Sequence, residues 1–177
     1  MTVPYATPPT AVAGATLPAA DWNTKVRDSL ESSAKPPRVY VYKNADQLVS
    51  NAGAVSMVTW ANELYDTDNF WVIGSASRLT IPAGLGGLYL FTANPIWDIN
   101  GAGGRYASLY KNGVGYGAPV NSGGSAAWYT QHQLVTPVVV VPGDYLELGV
   151  YQNSGVALNL KGSVYSMVAT LTRIGVA

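Results

Sequence analysis

The sequence predicts an all-β protein, an antiparallel sandwich or barrel that follows a short helix and an extended arm. After Pro37 the chain is a series of short apolar or alternating runs with no helical period between them. Clusters of Gly, Pro, Asn and Asp separate these runs and supply turn geometry. The length of 177 residues suits one domain with a sizeable core and a small appendage.

The composition indicates a surface that is neutral, polar and aromatic. Charged residues make up 11% of the chain, whereas a typical soluble domain has about 25%. Ten basic and ten acidic residues give a net charge of zero, so the positive surface that holds a phosphate backbone is missing and nucleic acid is not expected as a partner. Twelve Tyr and five Trp on so weakly charged a chain favour an oligomer.

Cellular location can be addressed only by what the chain lacks. There is no Cys, which excludes disulfides and thiolate metal sites. The first residues have no basic region ahead of an apolar core, and the chain has no run of about 18 apolar residues. We therefore expect a protein made in a cytoplasm, without a signal peptide and without a membrane partner.

Residues 1 to about 16 are expected to form an extended arm. Pro4, Pro8 and Pro9, with Pro18 just beyond, stand among Thr, Ala and Val, and proline at this density favours an extended chain. Such an arm needs a partner to order it.

A short helix is predicted over residues 17–33. Trp22, Val26 and Leu30 fall at i, i+4 and i+8 on one face, and Lys35-Pro36-Pro37 then ends the helix. A helix of about 16 residues is marginal in water unless its apolar stripe is buried. It could pack on its own domain, bundle with copies of itself, or dock on a larger assembly, and the rigid Pro-Pro joint favours the last two.

The rest of the chain, residues 38–177, is assigned to the β domain, and residues 1–37 to an arm, helix and hinge that serve as an anchor. Asn112-Gly113 is typical of a two-residue type I′ hairpin turn. The other turns are placed at residues 83–87, 101–104, 121–124 and 142–144. The candidate strands are residues 38–43, 55–61, 69–73, 78–81, 87–94, 105–111, 127–135, 137–141, 144–152, 156–161 and 164–174.

Strand alternation separates a core face from a second face. In residues 144–152, Leu146, Leu148 and Val150 share one face, and Tyr145 and Tyr151 lie on the other. A tyrosine-rich face with almost no charge is either a wet aromatic surface or a subunit interface in which each ring buries carbon and keeps its hydroxyl satisfied. We favour the interface.

No residue pattern in the chain indicates catalysis. His132 is the single histidine and has no acidic neighbour in sequence, so we interpret it as a surface or interface residue. Asp66 and Asp68 are weak candidates for a cation site, with turn capping as the alternative. No pair of carboxylates is singled out for glycoside hydrolysis, and no glycine-rich segment precedes a helix as a nucleotide loop does. We expect no enzyme activity, no cofactor and no metal.

Four segments in order resemble the jelly-roll domain of the tumour necrosis factor and complement globular head superfamily. With the closing strand to Gly175, the resemblance covers about residues 55 to 175. The segments are Leu79-Thr80-Ile81-Pro82, Gly87-Leu88-Tyr89-Leu90-Phe91, Ala107-Ser108-Leu109-Tyr110-Lys111-Asn112-Gly113 and Gly143-Asp144-Tyr145-Leu146-Glu147-Leu148.

This resemblance implies a ten-stranded, two-sheet jelly roll that assembles as a homotrimer around aromatic and aliphatic side chains. It agrees with the separate interpretation of the tyrosine-rich face. On this basis, the trimer interface is expected at Tyr89, Phe91, Tyr110, Tyr145, Tyr151 and Tyr165.

Residues 13–30 resemble the leader of small structural proteins of tailed bacteriophages. The resemblance implies a virion protein anchored through Pro8, Pro9, Trp22, Val26 and Leu30. A capsid decoration protein or head fibre is the first expectation, because the stalk is too short for a long tail fibre; capsid or tail proteins would be its partners.

The alternative is a minor tail protein, a receptor-binding protein of the tail tip or baseplate. In that role, host adhesion would come from loop aromatics that stack on cell-surface glycan, and the candidates are Trp97, Tyr116 and Trp128.

Overall fold

The computed structural model describes residues 14, 16, 18–162 and 167–175. It shows a helical segment that is followed along the chain by an antiparallel jelly roll. The predicted fold class is confirmed. The strands are β1 (Arg38–Tyr42), β2 (Gln47–Val49), β3 (Ser56–Met57), β4 (Asn62–Asp66), β5 (Leu79–Thr80), β6 (Gly87–Ala93), β7 (Ile96–Trp97), β8 (Asn100–Lys111), β9 (Val114–Ser125), β10 (Thr130–Gln131), β11 (Leu134–Val140), β12 (Tyr145–Gln152), β13 (Leu158–Leu160) and β14 (Val168–Gly175).

The predicted helix is present over residues 19–34, and we call it the N-terminal helix. It consists of α1 (Ala19–Asp21), a π-helical stretch (Trp22–Arg27) and α2 (Asp28–Ala34). Pro18 stands at its N-cap position, where the missing N–H costs nothing. Pro36 and Pro37 follow its end, because proline cannot continue the hydrogen-bond ladder.

Two five-stranded sheets make up the body of the domain. The front sheet has the order β11-β6-β14-β1-β4, and the back sheet has the order β3-β12-β8-β9 with β5 paired to β12. A smaller four-stranded end sheet has the order β10-β7-β13-β2. The two large sheets correspond to the ten strands that the resemblance implied. The core between them is aliphatic and aromatic, and includes Val39, Val41, Phe91, Ala169 and Leu171 of the front sheet and Ala107, Leu109, Leu146, Leu148 and Val150 of the back sheet.

The predicted faces of β12 and β14 are confirmed. Leu146, Leu148 and Val150 are buried in the core, as are Ala169 and Leu171. Tyr165, which the sequence placed on the same strand, lies outside the described residues.

The longest element that the sequence analysis missed is β9, since residues 121–124 were assigned to a turn. They are strand because β9 continues from the Asn112-Gly113 hairpin and pairs with β8 from Lys111 opposite Val114 to Asn100 opposite Ser125, with two register shifts on the way. The glycines of β9 have low intrinsic strand propensity, and the pairing with β8 overrides it. Residues 101–104, also assigned to a turn, belong to β8 and contain a bulge.

A second difference concerns Pro137, at which the sequence analysis broke the chain into two strands. The structure has one strand, β11, that passes through Pro137. This is tolerated because β11 is an outermost strand of the front sheet, where a missing backbone N–H leaves no ladder bond unmade. The short strands β2, β4 and β7 were not predicted either.

A polar clasp joins the β8–β9 hairpin to the start of β12. Asn112 and Gly113 have φ of 53° and 78°, as the predicted type I′ turn requires. Asn112 Nδ2 donates to Asp144 Oδ1 at 2.7 Å, and the Tyr145 N–H donates to Asn112 Oδ1 at 2.9 Å. Asp144 Oδ2 accepts the Val141 N–H at 2.8 Å and lies 2.9 Å from Lys111 Nζ. The clasp therefore holds both oxygens of the buried Asp144 carboxylate.

The clasp also sets how readily Asp144 ionises. Burial opposes its charge, but the hydrogen bonds from Asn112, Val141 and Lys111, together with the Lys111 charge, outweigh burial and lower the pKa of Asp144 below its ordinary value. A carboxylate whose pKa is lowered by folding contributes stability above its ordinary pKa, and this contribution is lost as the pH falls through the folded value.

We predict that Asp144→Asn lowers the free energy of unfolding by about 1 to 3 kcal/mol at pH 7, because the amide cannot accept every one of these bonds. The deficit should shrink as the pH is lowered below 3.8, the ordinary pKa of Asp. Denaturant unfolding at pH 7 and pH 3 measures both effects. Glu63→Gln, which removes one negative charge from the exposed part of β4, is the control. Equal stabilities of the two variants at both pH values would contradict the role given to the clasp.

Candidate functional site

The outer face of the front sheet is the strongest candidate for a functional surface. Cross-strand pairing aligns Tyr40 with Thr170, Thr170 with Thr92, and Thr92 with Val135. Residues directly opposite one another point to the same side of a sheet, so this row and its neighbours form one continuous face. We define the outer face as Tyr40, Tyr42, Leu88, Leu90, Thr92, Val135, Pro137, Val139, Val168, Thr170 and Thr172.

None of these residues carries a charge, and in the single chain they are exposed or half-buried. Val135 is 51% and Val139 46% exposed, and the residues on the inner strands are half-buried. The Thr92 and Thr170 hydroxyls share one hydrogen bond of 2.7 Å across β6 and β14. A continuous apolar face without charge is typical of a surface that another protein covers.

A positive charge stands at the margin of this face, on Arg38, which is directly opposite Thr172. Arg38, at the start of β1, places its guanidinium 5.1 Å from the centre of the Tyr65 ring, and Tyr65 in turn packs on Tyr40 with ring centres 5.7 Å apart. Such an arrangement of a polar rim around an apolar centre is the usual anatomy of an interface.

The tyrosines of the back sheet make contacts within their own chain. The Tyr110 ring lies on Gly149, where an added Cβ would come within 2.3 Å of the ring. The Arg78 guanidinium stacks on Tyr145 at 4.1 Å and reaches Glu147 at 3.4 Å. The aromatic face noted in the sequence therefore exists, but its rings are held by glycine and arginine of the same chain.

The predicted trimer-interface residues that the structure describes separate into two groups. The prediction that Tyr89 and Phe91 lie in the interface was wrong, because both side chains point from β6 into the core of the single chain. The Tyr89 hydroxyl donates to the Leu85 carbonyl at 2.7 Å. Tyr110, Tyr145 and Tyr151 are half-buried on the back sheet, and for them the interface stays a prediction. The sequence analysis missed the outer face, whose signal was available in the alternation of Arg38, Tyr40 and Tyr42 with buried valines.

The three predicted ligand-loop aromatics differ in exposure. The prediction that Trp97 meets a ligand was wrong, because this residue of β7 has a fully buried side chain. Tyr116 is half-buried and packs against the core. Trp128, in the loop between β9 and β10, is 77% exposed and is the one of the three that is free to meet a ligand.

The Asp66 loop has the geometry of a capped turn. Asp66 Oδ1 accepts the Asp68 N–H at 3.2 Å, and Oδ2 accepts the Trp71 N–H at 2.8 Å. Asp68 accepts the Thr67 hydroxyl at 2.6 Å. Nowhere in the described part of the chain are three His, Asp or Glu side chains grouped so as to hold a metal ion.

His132 is buried, so its expected place on a surface was wrong. Its Nε2 and the Ser122 hydroxyl are 2.8 Å apart. Burial, reinforced by the nearby Arg105 charge, lowers the pKa of His132, so the neutral imidazole is favoured. Serine and histidine are two of the three members of a catalytic triad. However, His132 Nδ1 has no partner among the described residues, so no acidic side chain orients the ring.

The apolar stripe of the N-terminal helix is open to solvent. Trp22 is 52% and Leu30 63% exposed, and Val26 is half-buried. Of the three alternatives left by the sequence, burial of the stripe on the chain's own domain is therefore not what the structure shows. The other predicted anchor residues, Pro8 and Pro9, lie outside the described residues. The described helices include none with the length and apolar character needed to cross a membrane.

Comparison with known proteins identifies the fold. The sequence matches no known family profile and no curated protein. Among solved structures, the globular domain of zebrafish complement 1qA protein is similar with a TM-score of 0.54 and 14% identity, over 80% of this chain and 99% of that one. Murine APRIL is similar with a TM-score of 0.53 and 12% identity, over 77% of this chain and 99% of that one. The chain shares the jelly-roll fold of these domains.

We predict that Asp66→Ala lowers the free energy of unfolding by about 1 to 3 kcal/mol, because two backbone N–H groups lose their acceptor. Adding calcium should leave the thermal midpoint of the unchanged protein where it is. Thermal unfolding with calcium and with a chelator measures both effects, and Glu63→Ala, at an exposed position of the same strand, is the control. A midpoint that rises and saturates with calcium, and does so only while Asp66 is present, would instead establish a cation site.

Proposed function

We propose that this chain is a non-enzymatic structural protein of a bacteriophage particle, a trimeric jelly-roll head fixed to the particle surface through its N-terminal segment. The observation that carries the proposal is the uncharged outer face of the front sheet. An apolar face of this kind is stable in water when a partner covers it. The role is one of adhesion and reinforcement, and it needs no cofactor.

A second and third copy of the same chain are the partners proposed for the outer face. The net charge of zero and the absence of charge on the face remove the repulsion that keeps identical chains apart. The resemblance to complement globular heads implies three copies, and the shared fold is consistent with that number. Three-fold closure would also leave no outer face exposed for open-ended growth.

The N-terminal helix is the proposed anchor. Trp22 and Leu30 stand out from a helix that is too short to be stable by itself, so docking onto a capsid protein would both bury the stripe and hold the helix. One such helix offers a modest apolar area. Three helices in a trimer would act together, and each additional docking event would be intramolecular.

The phage setting rests on the resemblance of residues 13–30 to phage leaders, and a virion location follows from it. Capsid decoration or a head fibre is the first assignment. Receptor binding at a tail tip is the second candidate, and the observation that favours it is the exposed indole of Trp128. An exposed indole on a loop suits stacking on a sugar ring of a host cell-surface glycan.

We predict that the double change Val135→Glu and Val139→Glu converts a trimer into a monomer. Both side chains lie on the outer face, and two unpaired carboxylates would have to be buried in each contact. Light scattering on the full chain should show a threefold fall in mass. Val114→Glu adds a charge at a position of β9 that is 70% exposed and should leave the trimer intact. An unchanged protein that is already monomeric, or a double variant that stays trimeric, contradicts the interface.

We predict that Trp22→Ser combined with Leu30→Ser abolishes incorporation into particles and leaves the trimer folded, because both residues are exposed in the helix. Immunoblotting of purified particles measures incorporation. Trp128→Ser is the matched control and should be incorporated normally.

A glycan array probed with the same variants separates the two candidate roles. Binding that requires Trp128 and ignores Trp22 would favour the receptor-binding protein. Retention of the Trp22 and Leu30 variant on the particle would show that the helix is not the anchor.

A further inference from the structure

Four buried polar atoms near the junction of the back sheet and the end sheet lack a hydrogen-bond partner among the described residues. They are Trp97 Nε1, Arg105 Nε, Thr130 Oγ1 and His132 Nδ1. Each belongs to a side chain that is more than nine-tenths buried. An unpaired polar atom in such a place costs about 1 to 3 kcal/mol, so four in one structure call for a physical explanation.

The four side chains are neighbours. Trp97 and Thr130 are directly opposite each other in the β7–β10 pair. The Arg105 guanidinium carbon lies 6.0 Å from the centre of the Trp97 ring. Arg105 is paired with Ser122 across β8 and β9, and Ser122 bonds His132. The four side chains therefore form one cluster, which we call the Arg105 cluster.

The charge of Arg105 has no acidic counterpart. Its Nη1 donates to the carbonyls of Ala102 and Gly104 at 3.0 and 3.1 Å, and its Nη2 to the carbonyl of Asn100 at 2.9 Å. No carboxylate of the described residues forms an ion pair with it. Burial without such a partner lowers the pKa of the guanidinium. Both terminal nitrogens thus donate to neutral carbonyls, and Nε is the guanidinium nitrogen that has no acceptor among the described residues.

Each of the four unpaired atoms can donate a hydrogen bond. Trp97 Nε1 and Arg105 Nε can only donate, and the Thr130 hydroxyl can donate. In neutral His132, Nδ1 carries the proton when Nε2 accepts the Ser122 hydroxyl. Four donors beside one uncompensated positive charge match a negative ion, and they do not match a cation, whose ligands must be acceptors.

We propose that the Arg105 cluster binds a small inorganic anion of the size of chloride. The near-complete burial of every contributing side chain restricts the site to a small ion. The ion supplies the charge that Arg105 lacks and gives the four donors a common acceptor. Because Arg105 belongs to the back sheet and Trp97 and Thr130 to the end sheet, the ion also ties those two sheets together.

Bromide provides the direct test, because it replaces chloride and scatters anomalously. Crystals of the full chain grown in sodium bromide should show one anomalous peak within hydrogen-bond distance of Arg105 Nε and Trp97 Nε1. A normal electron-density peak without anomalous signal at that place would be water, and it would overturn the proposal, as would the lack of any peak.

A solution test needs no crystal. Thermal unfolding in sodium chloride is compared with unfolding in sodium isethionate, whose anion is too large for the site, at equal ionic strength. The midpoint should rise with chloride and saturate, because a ligand that binds only the folded chain stabilises it. Thr130→Val removes one donor with little change of shape, and the half-maximal rise should then need about tenfold more chloride.

Thr136→Val is the matched control, since Thr136 is equally buried but lies in the front sheet. It should respond to chloride as the unchanged protein does. Identical curves in chloride and isethionate, or an unaltered response of Thr130→Val, would refute an anion in the Arg105 cluster. Trp97→Phe, which removes the indole N–H and keeps an aromatic ring, provides a second donor variant if Thr130→Val fails to fold.

Discussion

The register of β14 between β1 and β6 is the constraint on which the rest of the structure depends. β14 is the last strand in sequence and lies at the centre of the front sheet. In this register Leu171 points into the core, and Thr170 lies between Tyr40 and Thr92 on the outer face. A shift by one residue would exchange the two sets, exposing leucine and burying threonine. The hydrophobic core therefore fixes not only the fold but also which side chains form the outer face.

The strands that bury one clean face are the ones that the sequence predicts. In β14 buried and half-buried side chains alternate, so the face that enters the core can be read directly, and in β12 the sequence alternation identifies Leu146, Leu148 and Val150 as core although Glu147 is buried too. The polar interior could not be predicted in the same way. Arg105 stands in an alternating strand like any surface arginine, and its burial depends on carbonyls that the bulged start of β8 folds around it. The burial of His132 and Trp97 could not be predicted either. The end-sheet strands at or beside them have only two or three residues, which is too short for an alternation pattern.

Several of the few charged side chains form bonds within the domain. Lys111 closes the Asp144 clasp, and Lys161 pairs with Asp46 at the edge of the end sheet. Lys43 is buried, and its ammonium donates to the Thr59 carbonyl at 2.6 Å and to Gln47 Oε1 at 3.0 Å. Exposed ion pairs contribute little stability, whereas partly buried and hydrogen-bonded ones define geometry. These three lysines are thus engaged in bonds within the domain. The residues that define the outer face of the front sheet are neutral, and in the proposed trimer this neutrality permits identical chains to approach.

The position of β1 connects the two proposed assembly surfaces. Arg38 begins β1 directly after the Pro36-Pro37 joint, and Tyr40 and Tyr42 of the same strand belong to the outer face. In the proposed trimer, the three N-terminal helices therefore emerge beside the contacts between subunits rather than from remote corners of the head. Short rigid joints hold their ends at a limited separation, which raises the effective concentration of the second and third helix once the first has docked. Assembly through the front sheet would in this way strengthen an anchor that is weak in a single chain.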